Sequence, residues 1–215
     1  QAPQGPRRRA SGQDVIDLTV TNPTAVGLLA DAGALAELGT PKSRVYRPEA
    51  FGLPEARETV AARLAERRDA APPIARLALT ASTSEAYSVL FKLLCDGGDE
   101  VLVPQPSYPL FEHLAALDLV RPVPYRLEYH GRWSIDFESL DAAWSARTRA
   151  VIVVSPNNPT GSYLREADWQ ALDARCAARG AAVVADEVFA EFPLEPFDDA
   201  VRGVLGKAEP QSLVF

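Results

Sequence analysis

The sequence predicts an α/β protein of three layers (α/β/α), in which a mainly parallel sheet lies between two layers of helices. Two observations lead to this fold class. Apolar segments of strand length alternate along the chain with longer segments that repeat apolar residues at helical spacing. Residues 150–154 are apolar without alternation, which is typical of a strand covered on both faces. At 215 residues, the chain is long enough to bury a substantial core.

The helical segments have the expected chemistry at their ends. Residues 52–68 carry Pro54 and Glu55 in the first turn and arginines in the last, and residues 84–94 stop at an Asp-Gly-Gly sequence. Two further helices are marked by apolar residues at helical spacing, namely Leu110, Leu114 and Leu117, and then Trp169, Leu172 and Cys176.

Short apolar segments between these helices are predicted to be strands: residues 100–103, 120–125, 150–154, 182–185 and 212–215. Pro122 and Pro124 indicate that the second strand lies at a sheet edge, because proline cannot donate to a ladder. Ligands of parallel sheets bind beyond the carboxyl ends of the strands. The residues that follow each strand are therefore the candidates for function.

Composition excludes several classes of protein. The chain has 22 Lys and Arg against 29 Asp and Glu, a formal net charge of −7, whereas nucleic-acid surfaces need clustered positive charge. No apolar run reaches the roughly 18 residues of a membrane span, and no signal-peptide pattern opens the printed sequence. Cys95 and Cys176 lie among apolar residues, so we expect buried free thiols in a reducing, cytoplasmic compartment. No H-E-x-x-H motif occurs, and no metal site is predicted.

Residues 80–86 (TASTSEA) lead from a short apolar stretch directly into a helix. Small side chains leave the first N–H groups of a helix accessible, and these groups can hold a phosphate. Ser82 and Thr83 are therefore candidates for anion binding. The alternative is a plain N-cap, because Ser and Thr are also preferred at that position.

Three other strand ends carry side chains suited to a ligand. Residues 104–109 (PQPSYP) present Tyr108 at a helix start, either as a plate for a planar ligand or as an ordinary core tyrosine. Asp186 follows an apolar strand, where a carboxylate is costly unless a positive group meets it, and a helix cap or a salt bridge would serve equally. Residues 155–161 (SPNNPTG) hold the adjacent amides Asn157 and Asn158 between two prolines.

Taken in order, the segments YRPEAFGLPEAR, TASTSEA, PQPSYP, SPNNPTG and ADEVF resemble the pyridoxal-phosphate-dependent aminotransferases of class I/II, which have the aspartate aminotransferase fold (fold type I). The segments run from Tyr46 to Phe189. The resemblance implies pyridoxal 5′-phosphate as the cofactor and a homodimer as the assembly. It also implies that the full-length parent protein transfers an amino group between an amino acid and a 2-oxo acid.

The resemblance assigns roles to the residues at the strand ends. Ser82 and Thr83 would cradle the cofactor phosphate, and Tyr108 would stack on the pyridine ring. Asn158 would hydrogen-bond the phenolic oxygen of the ring. Asp186 would pair with the protonated ring nitrogen, which keeps the ring cationic and able to draw electrons from a substrate.

The resemblance also implies a division of the chain into two domains. Residues 1–45 would form an N-terminal arm and small-domain segment, and residues 46–215 a cofactor-binding large domain that is incomplete at its C-terminus. Thr21 and Asn22 lie where the family touches the substrate carboxylate. Tyr46 matches the tyrosine that reaches the phosphate of the neighbouring subunit.

The sequence departs from the family pattern in three ways. Phe189 replaces a tyrosine that shares the phenolic oxygen with the asparagine, and Ser82 replaces a glycine of the phosphate turn. The lysine that forms the Schiff base with the cofactor is expected on a later strand, and the printed chain ends before it. The three lysines present fit no such position, so no catalytic residue is assigned; they are Lys42, Lys92 and Lys207.

Other functions remain open at this point. The chain would also suit a non-catalytic fragment that acts as a binding or oligomerisation module, or a lyase or decarboxylase of the same fold type. A methyltransferase with an Asn-Pro-Pro loop is disfavoured, because no G-x-G-x-x-G segment follows the first strand.

Overall fold

A computed structural model describes residues 22–66, 72–192, 199–201, 203–204 and 210–215. The chain divides into two units, Gln1–Arg47 and Pro48–Phe215. The described part of the first unit holds helix α1 (Ala32–Glu37) between two 3₁₀ turns, Pro23–Val26 and Pro41–Arg44. Asp31 caps α1 by accepting a hydrogen bond from the Gly33 N–H. The domain boundary drawn from the sequence stays a prediction.

The second unit alternates helices and strands, as the sequence predicts. Its helices are α2 (Pro54–Ala65), α3 (Thr83–Leu94), α4 (Leu110–Leu117), α5 (Phe137–Ala143) and α6 (Glu166–Arg179), with a 3₁₀ turn at Ile74–Arg76. Its strands are β1 (Glu100–Gln105), β2 (Arg121–Tyr129), β3 (Trp133–Ile135), β4 (Thr148–Val154), β5 (Ala182–Asp186) and β6 (Leu213–Val214).

The strands form one six-stranded sheet in the order β3-β2-β1-β4-β5-β6. All neighbouring pairs are parallel except β2 and β3, which form an antiparallel hairpin. The prediction of a mainly parallel α/β sheet is therefore confirmed. Since β1, β4 and β5 are adjacent and parallel, their carboxyl ends meet at one edge of the sheet.

Helices cover the sheet on both faces. On one face α3 and α4 contribute aromatic and small residues to a cluster with the side chains of β1, β4 and β5; the helix residues are Tyr87, Phe91, Phe111 and Ala115. On the other face α5 and α6 pack on the same strands through Leu140, Trp169, Leu172 and Cys176. Val101, Val151 and Val183 are fully buried between these layers, which explains the apolar strands.

In the second unit, the sequence analysis missed one strand and one helix. Strand β3 has only three residues and pairs with β2 through a tight turn in which Gly131 has a φ of 78°. Helix α5 follows directly, and Asp136 caps it by accepting from the Ser139 N–H at 2.9 Å. Elements this short carry too few apolar residues for a clear period.

The two prolines of β2 lie where the strand has one neighbour. The Arg121 N–H donates toward β1, to the backbone oxygen of Asp99, so the alternate positions Pro122 and Pro124 are turned away from β1. On that side, β3 pairs only with the last three residues of β2, Leu127–Tyr129. The missing N–H groups therefore interrupt no ladder in the described part of the sheet. The predicted edge position is correct for this half of the strand and wrong for the other half.

Strand β6 pairs with β5 and is the outermost strand on that side of the sheet. Asp173 of α6 is buried and accepts from the backbone N–H groups of Gln211 and Ser212, both at 2.8 Å. Leu213 is 58% exposed, so part of this apolar strand faces solvent. Within the described ranges, no helix has the length and apolar character needed to cross a membrane.

A buried carboxylate lies at the amino end of β1. Asp186 lies at the other end of the parallel strands, at the carboxyl end of β5. Glu100 is 3% exposed, accepts from the Ser145 hydroxyl at 2.7 Å and pairs with the Arg121 guanidinium. The Ser145 hydrogen bond, and then Arg121, hold the pKa of Glu100 below its usual 4.5, against the opposing effect of burial.

Acid should therefore weaken the fold partly through Glu100. A carboxyl group whose pKa is lower in the folded state stabilises that state above the unfolded pKa, and the contribution is lost as the pH falls through the folded value. We expect Glu100→Gln to lower the free energy of unfolding at pH 7 and to reduce its dependence on pH below about 4.5. Urea unfolding between pH 3 and 7 measures both, and the exposed Glu112→Gln is the matched charge control. An unchanged pH dependence in Glu100→Gln would contradict this account.

Candidate functional site

The loops that follow β1, β4 and β5 lie side by side at one edge of the sheet. The register pairs Val154 with Asp186 at the ends of β4 and β5. The Ser155 N–H donates to the backbone oxygen of Asp186 at 2.9 Å, which continues the ladder by one residue. Asn158 is three residues beyond this contact, in the same loop. The apolar strands thus bring the amide and the carboxylate predicted from sequence to the same edge.

Asn157 joins two of these loops. Its side chain is 4% exposed, and its Oδ1 accepts from the Ser107 hydroxyl at 2.8 Å. Its Nδ2 donates to the backbone oxygen of Pro106 at 3.0 Å and to Thr160 Oγ1 at 2.9 Å. The loop after β1 is therefore fastened to the loop after β4 by a single buried amide.

The adjacent amide has a different position. Asn158 is half-buried, and so it remains reachable from outside the loop. Tyr108, directly after the Ser107 that Asn157 holds, is 49% exposed. An ordinary core tyrosine would be covered, so the alternative of a core residue is wrong for Tyr108.

The N-terminus of α3 carries a capping arrangement. Ser82 Oγ accepts from the Glu85 N–H at 3.2 Å, and Glu85 Oε2 accepts from the Ala81 N–H at 2.6 Å. The N-cap alternative for Ser82 is thus present in the structure. The N–H groups of Thr83 and Ser84 belong to the first turn, where a helix has no acceptor of its own. Backbone groups, more than the Ser82 hydroxyl, are available here for an anion.

Asp186 is half-buried and accepts hydrogen bonds on both of its oxygens. Oδ1 accepts from the Val188 N–H at 3.0 Å, and Oδ2 accepts from the Tyr87 hydroxyl at 2.8 Å. No Lys or Arg pairs with this carboxylate in the described part of the chain, which argues against the salt-bridge alternative. These two hydrogen bonds leave further lone pairs on the carboxylate for a cationic partner.

Tyr87 is a residue that the sequence analysis missed. Burial first, and then the neighbouring charge of Asp186, raise the pKa of Tyr87 far above its usual value. The neutral hydroxyl is therefore favoured, and it is the donor to Asp186. In the sequence, Tyr87 reads only as one apolar position of a helix, and nothing there links it to a residue 99 positions away.

Other residues singled out from the sequence belong to the first unit, lie outside the described residues, or follow Asp186 in the chain. Tyr46 and Asn22 belong to the first unit, where Tyr46 is 90% exposed and Asn22 caps a 3₁₀ turn through Thr24. Thr21 lies outside the described residues. Phe189 follows Asp186 and is 42% exposed. The tyrosine hydroxyl found in the family at that position has no counterpart on this ring.

Lys92 does not contribute to this edge. Lys92 lies in the last turn of α3, roughly 14 Å along the helix from its first residue at 1.5 Å per residue. Its Nζ contacts the Ser88 hydroxyl at 2.6 Å and pairs with Asp118. Lys42 belongs to the first unit, and Lys207 lies outside the described residues.

The edge fits the cofactor that the resemblance implies. Pyridoxal 5′-phosphate has a phosphate, a planar ring and a ring nitrogen that can be protonated. The edge offers the N-terminus of a 12-residue helix, the exposed ring of Tyr108 and the carboxylate of Asp186, which forms no ion pair with a described residue. The described residues hold no cluster of His, Cys, Asp and Glu that would bind a metal ion.

Comparison with known proteins agrees with the family resemblance seen in the sequence. Residues 13–214 match the family model for aminotransferase class I and II. An alanine aminotransferase of Mycobacterium tuberculosis is 28% identical in an alignment of length 215 that covers 96% of this chain and 48% of that protein. An aspartate aminotransferase of Geobacillus stearothermophilus is 32% identical in an alignment of length 189 that covers 84% of this chain and 46% of that protein.

A solved structure with the same fold is an alanine aminotransferase from Pyrococcus furiosus. Its TM-score is 0.80 at 26% identity, and the match covers 94% of this chain and 52% of that one. The present chain thus spans about half the length of the proteins that it matches here.

The adjacent amides offer a test of their different positions. Asn157→Ala removes the link between two loops and leaves buried polar groups without a partner, so we expect a loss of about 1–3 kcal/mol in the free energy of unfolding. Asn158→Ala is the matched control, and it should stay within about 0.5 kcal/mol of the wild type. Urea titrations of both variants measure the difference. Equal losses would show that Asn157 does not hold the loops together.

Proposed function

This chain belongs to the aminotransferase class I and II family, which depends on pyridoxal phosphate, and on that premise we propose that the edge described above binds this cofactor. We further propose that the whole protein transfers an amino group between an amino acid and a 2-oxo acid. The observation that carries the proposal is Asp186, a carboxylate at the end of a buried strand that forms no ion pair among the described residues.

Asp186 is suited to a protonated ring nitrogen. Pairing with a cation compensates the cost of holding a carboxylate at the end of an apolar strand. It also keeps the proton on the ring, because the charged form of each partner stabilises the other. Bound pyridoxal phosphate supplies an electron sink for the substrate, and a cationic ring is the stronger sink.

The phosphate would lie at the N-terminus of α3, near Ser82 and Thr83. There the helix dipole and the N–H groups of the first turn favour an anion. Because the Ser82 hydroxyl already caps the helix, we assign the main contacts to backbone N–H groups and to the Thr83 hydroxyl. A glycine at position 82, as in the family, would leave more room.

Tyr108 and Asn158 would hold the ring between these two ends. Tyr108 offers an exposed aromatic face for stacking. Asn158 offers an amide donor for the phenolic oxygen of the ring. Phe189 has no hydroxyl to share that oxygen, so the phenolic oxygen would have one protein donor fewer than in the family.

The remaining assignments concern the whole protein. Substrate contacts at Thr21 and Asn22, a contact of Tyr46 with a neighbouring subunit, and a homodimer are proposals from the family resemblance. The division of the chain into two domains, residues 1–45 and 46–215, is a proposal on the same basis. A location in the cytoplasm is also proposed, and it suits the free thiols of Cys95 and Cys176. The printed names of the relatives, alanine and aspartate aminotransferase, favour amino-group transfer over a lyase, a decarboxylase or a non-catalytic module.

The cofactor assignment can be tested on the 215-residue chain. Asp186→Asn keeps the shape of the side chain but removes the charge that would pair with the ring. Charge-assisted hydrogen bonds contribute roughly 1.5–3 kcal/mol, so reversible binding of pyridoxal 5′-phosphate should weaken roughly tenfold or more. Equilibrium dialysis or a fluorescence titration measures the affinity.

Glu112→Gln removes one exposed negative charge on α4 and serves as the control, with an affinity expected to match the wild type. The proposed site would be refuted by a wild-type chain that binds no cofactor. It would be refuted equally by an Asp186→Asn variant that binds the cofactor as tightly as the wild type.

A further inference from the structure

We propose that Tyr87 is a positioning residue for Asp186, so that the carboxylate meets the cofactor ring nitrogen in a fixed orientation. This inference rests on the proposed function of the same site. The Tyr87 hydroxyl donates to Asp186 Oδ2 at 2.8 Å, and the tyrosine is 6% exposed. The contact joins the second turn of α3 to the carboxyl end of β5.

The tyrosine ring is held by its aromatic neighbours. The ring of Phe111 on α4 lies 5.3 Å from the ring of Tyr87, with an interplanar angle of 80°. The ring of Phe91, one turn later on α3, lies 5.9 Å away at 36°. Edge-to-face and tilted contacts of this kind fix the direction of a ring. The direction of the hydroxyl is therefore set by the core between α3, α4 and the sheet.

Asp186 is fixed at both of its oxygens. The Val188 N–H binds Oδ1, and the Tyr87 hydroxyl binds Oδ2, so rotation of the carboxylate would break at least one hydrogen bond. Each carboxylate oxygen accepts more than one hydrogen bond, and capacity remains for a third donor. The carboxylate is thus oriented before a ligand arrives, which lowers the cost of binding.

Helix α3 would then contribute to both ends of the site. Thr83 is its first residue, and Tyr87 follows four positions later, roughly 6 Å along the axis at 1.5 Å per residue. The N–H groups of its first turn face the phosphate position, and Tyr87 holds the carboxylate for the ring nitrogen. A single rigid helix therefore fixes the separation between the phosphate position and the ring-nitrogen position.

Two other roles for Tyr87 are physically reasonable. In the first, the hydroxyl only satisfies a buried polar group and has no consequence for a ligand. In the second, it occupies the place that the ring nitrogen needs, and its removal would improve binding. The three roles predict different effects of removing the Tyr87 hydroxyl on the affinity for ligands with and without the ring nitrogen.

The test compares Tyr87→Phe with Tyr125→Phe. Both variants remove one buried hydroxyl and keep the ring, and Tyr125 donates to the backbone oxygen of Ile152 at 2.9 Å, inside the sheet. Each variant is titrated with pyridoxal 5′-phosphate and with the analogue in which CH replaces the ring nitrogen. Tyr87→Phe is also measured in the Asp186→Asn background as a double-mutant cycle.

We expect Tyr87→Phe to weaken the binding of pyridoxal 5′-phosphate roughly two- to tenfold, the range for one net hydrogen bond. The loss should vanish with the nitrogen-free analogue and in the Asp186→Asn background. Tyr125→Phe should bind both ligands like the wild type, even where its stability falls.

Equal loss of affinity for both ligands, unchanged affinity, or tighter binding by Tyr87→Phe would each overturn the positioning role. These results are distinct from a failure of the proposed function. In that case the wild-type chain itself would not bind pyridoxal 5′-phosphate, and the inference about Tyr87 would fall with it.

Discussion

The parallel pairing of β4 with β5 sets the position of the side chains at the candidate site. Its register places Val154 opposite Asp186, and the Ser155 N–H extends the pairing to the backbone of Asp186. A slip by one residue would place Ala185 or Glu187 opposite Val154 and turn Asp186 to the other face of the sheet. Val151 and Val183 are fully buried between two helical layers, so such a slip would also disrupt the core. The hydrophobic packing of the sheet therefore determines the geometry of a polar site at its edge.

Around this edge, hydrogen bonds from buried polar side chains keep more exposed polar residues, or the loops that carry them, in place. Asn157 is buried and fastens the loops that carry Asn158 and Tyr108. Tyr87 is buried and holds Asp186. In both cases the group proposed to meet a ligand is at most half-buried, while its neighbour is covered and hydrogen-bonded. Rigid support of this kind is what a site needs to keep its polar groups in place without a ligand.

The sequence predicts the fold well because strand burial leaves a direct record in composition. Residues 150–154 and 182–185 are apolar on both faces, and only a sheet between helices explains such short apolar segments. The short hairpin strand β3 and the seven-residue helix α5 leave no comparable record. Their position depends on the turn at Gly131 and on the Asp136 cap, which are local features compatible with several structures.

The residues of the candidate site also divide into those that the sequence could select and those that it could not. Position after a strand selects Tyr108, Asn158 and Asp186, because topology brings strand ends together. It does not select Tyr87, whose contact with Asp186 depends on how a helix packs across the sheet. Nor does it say which of two adjacent amides is buried, since the path of the loop decides that.

The N-terminus of α3 shows why a cap and an anion site share one sequence signature. Ser82 and Glu85 satisfy two N–H groups and shape the turn that precedes the helix. The Glu85 carboxylate is held at Ala81, so its negative charge opposes an incoming phosphate, whereas the helix dipole attracts one. The next N–H groups, of Thr83 and Ser84, lack a helical acceptor, and a phosphate contacting them avoids displacing Glu85 from Ala81. The cap thus fixes the turn and leaves the following N–H groups for the ligand, so the two interpretations of Ser82 are compatible.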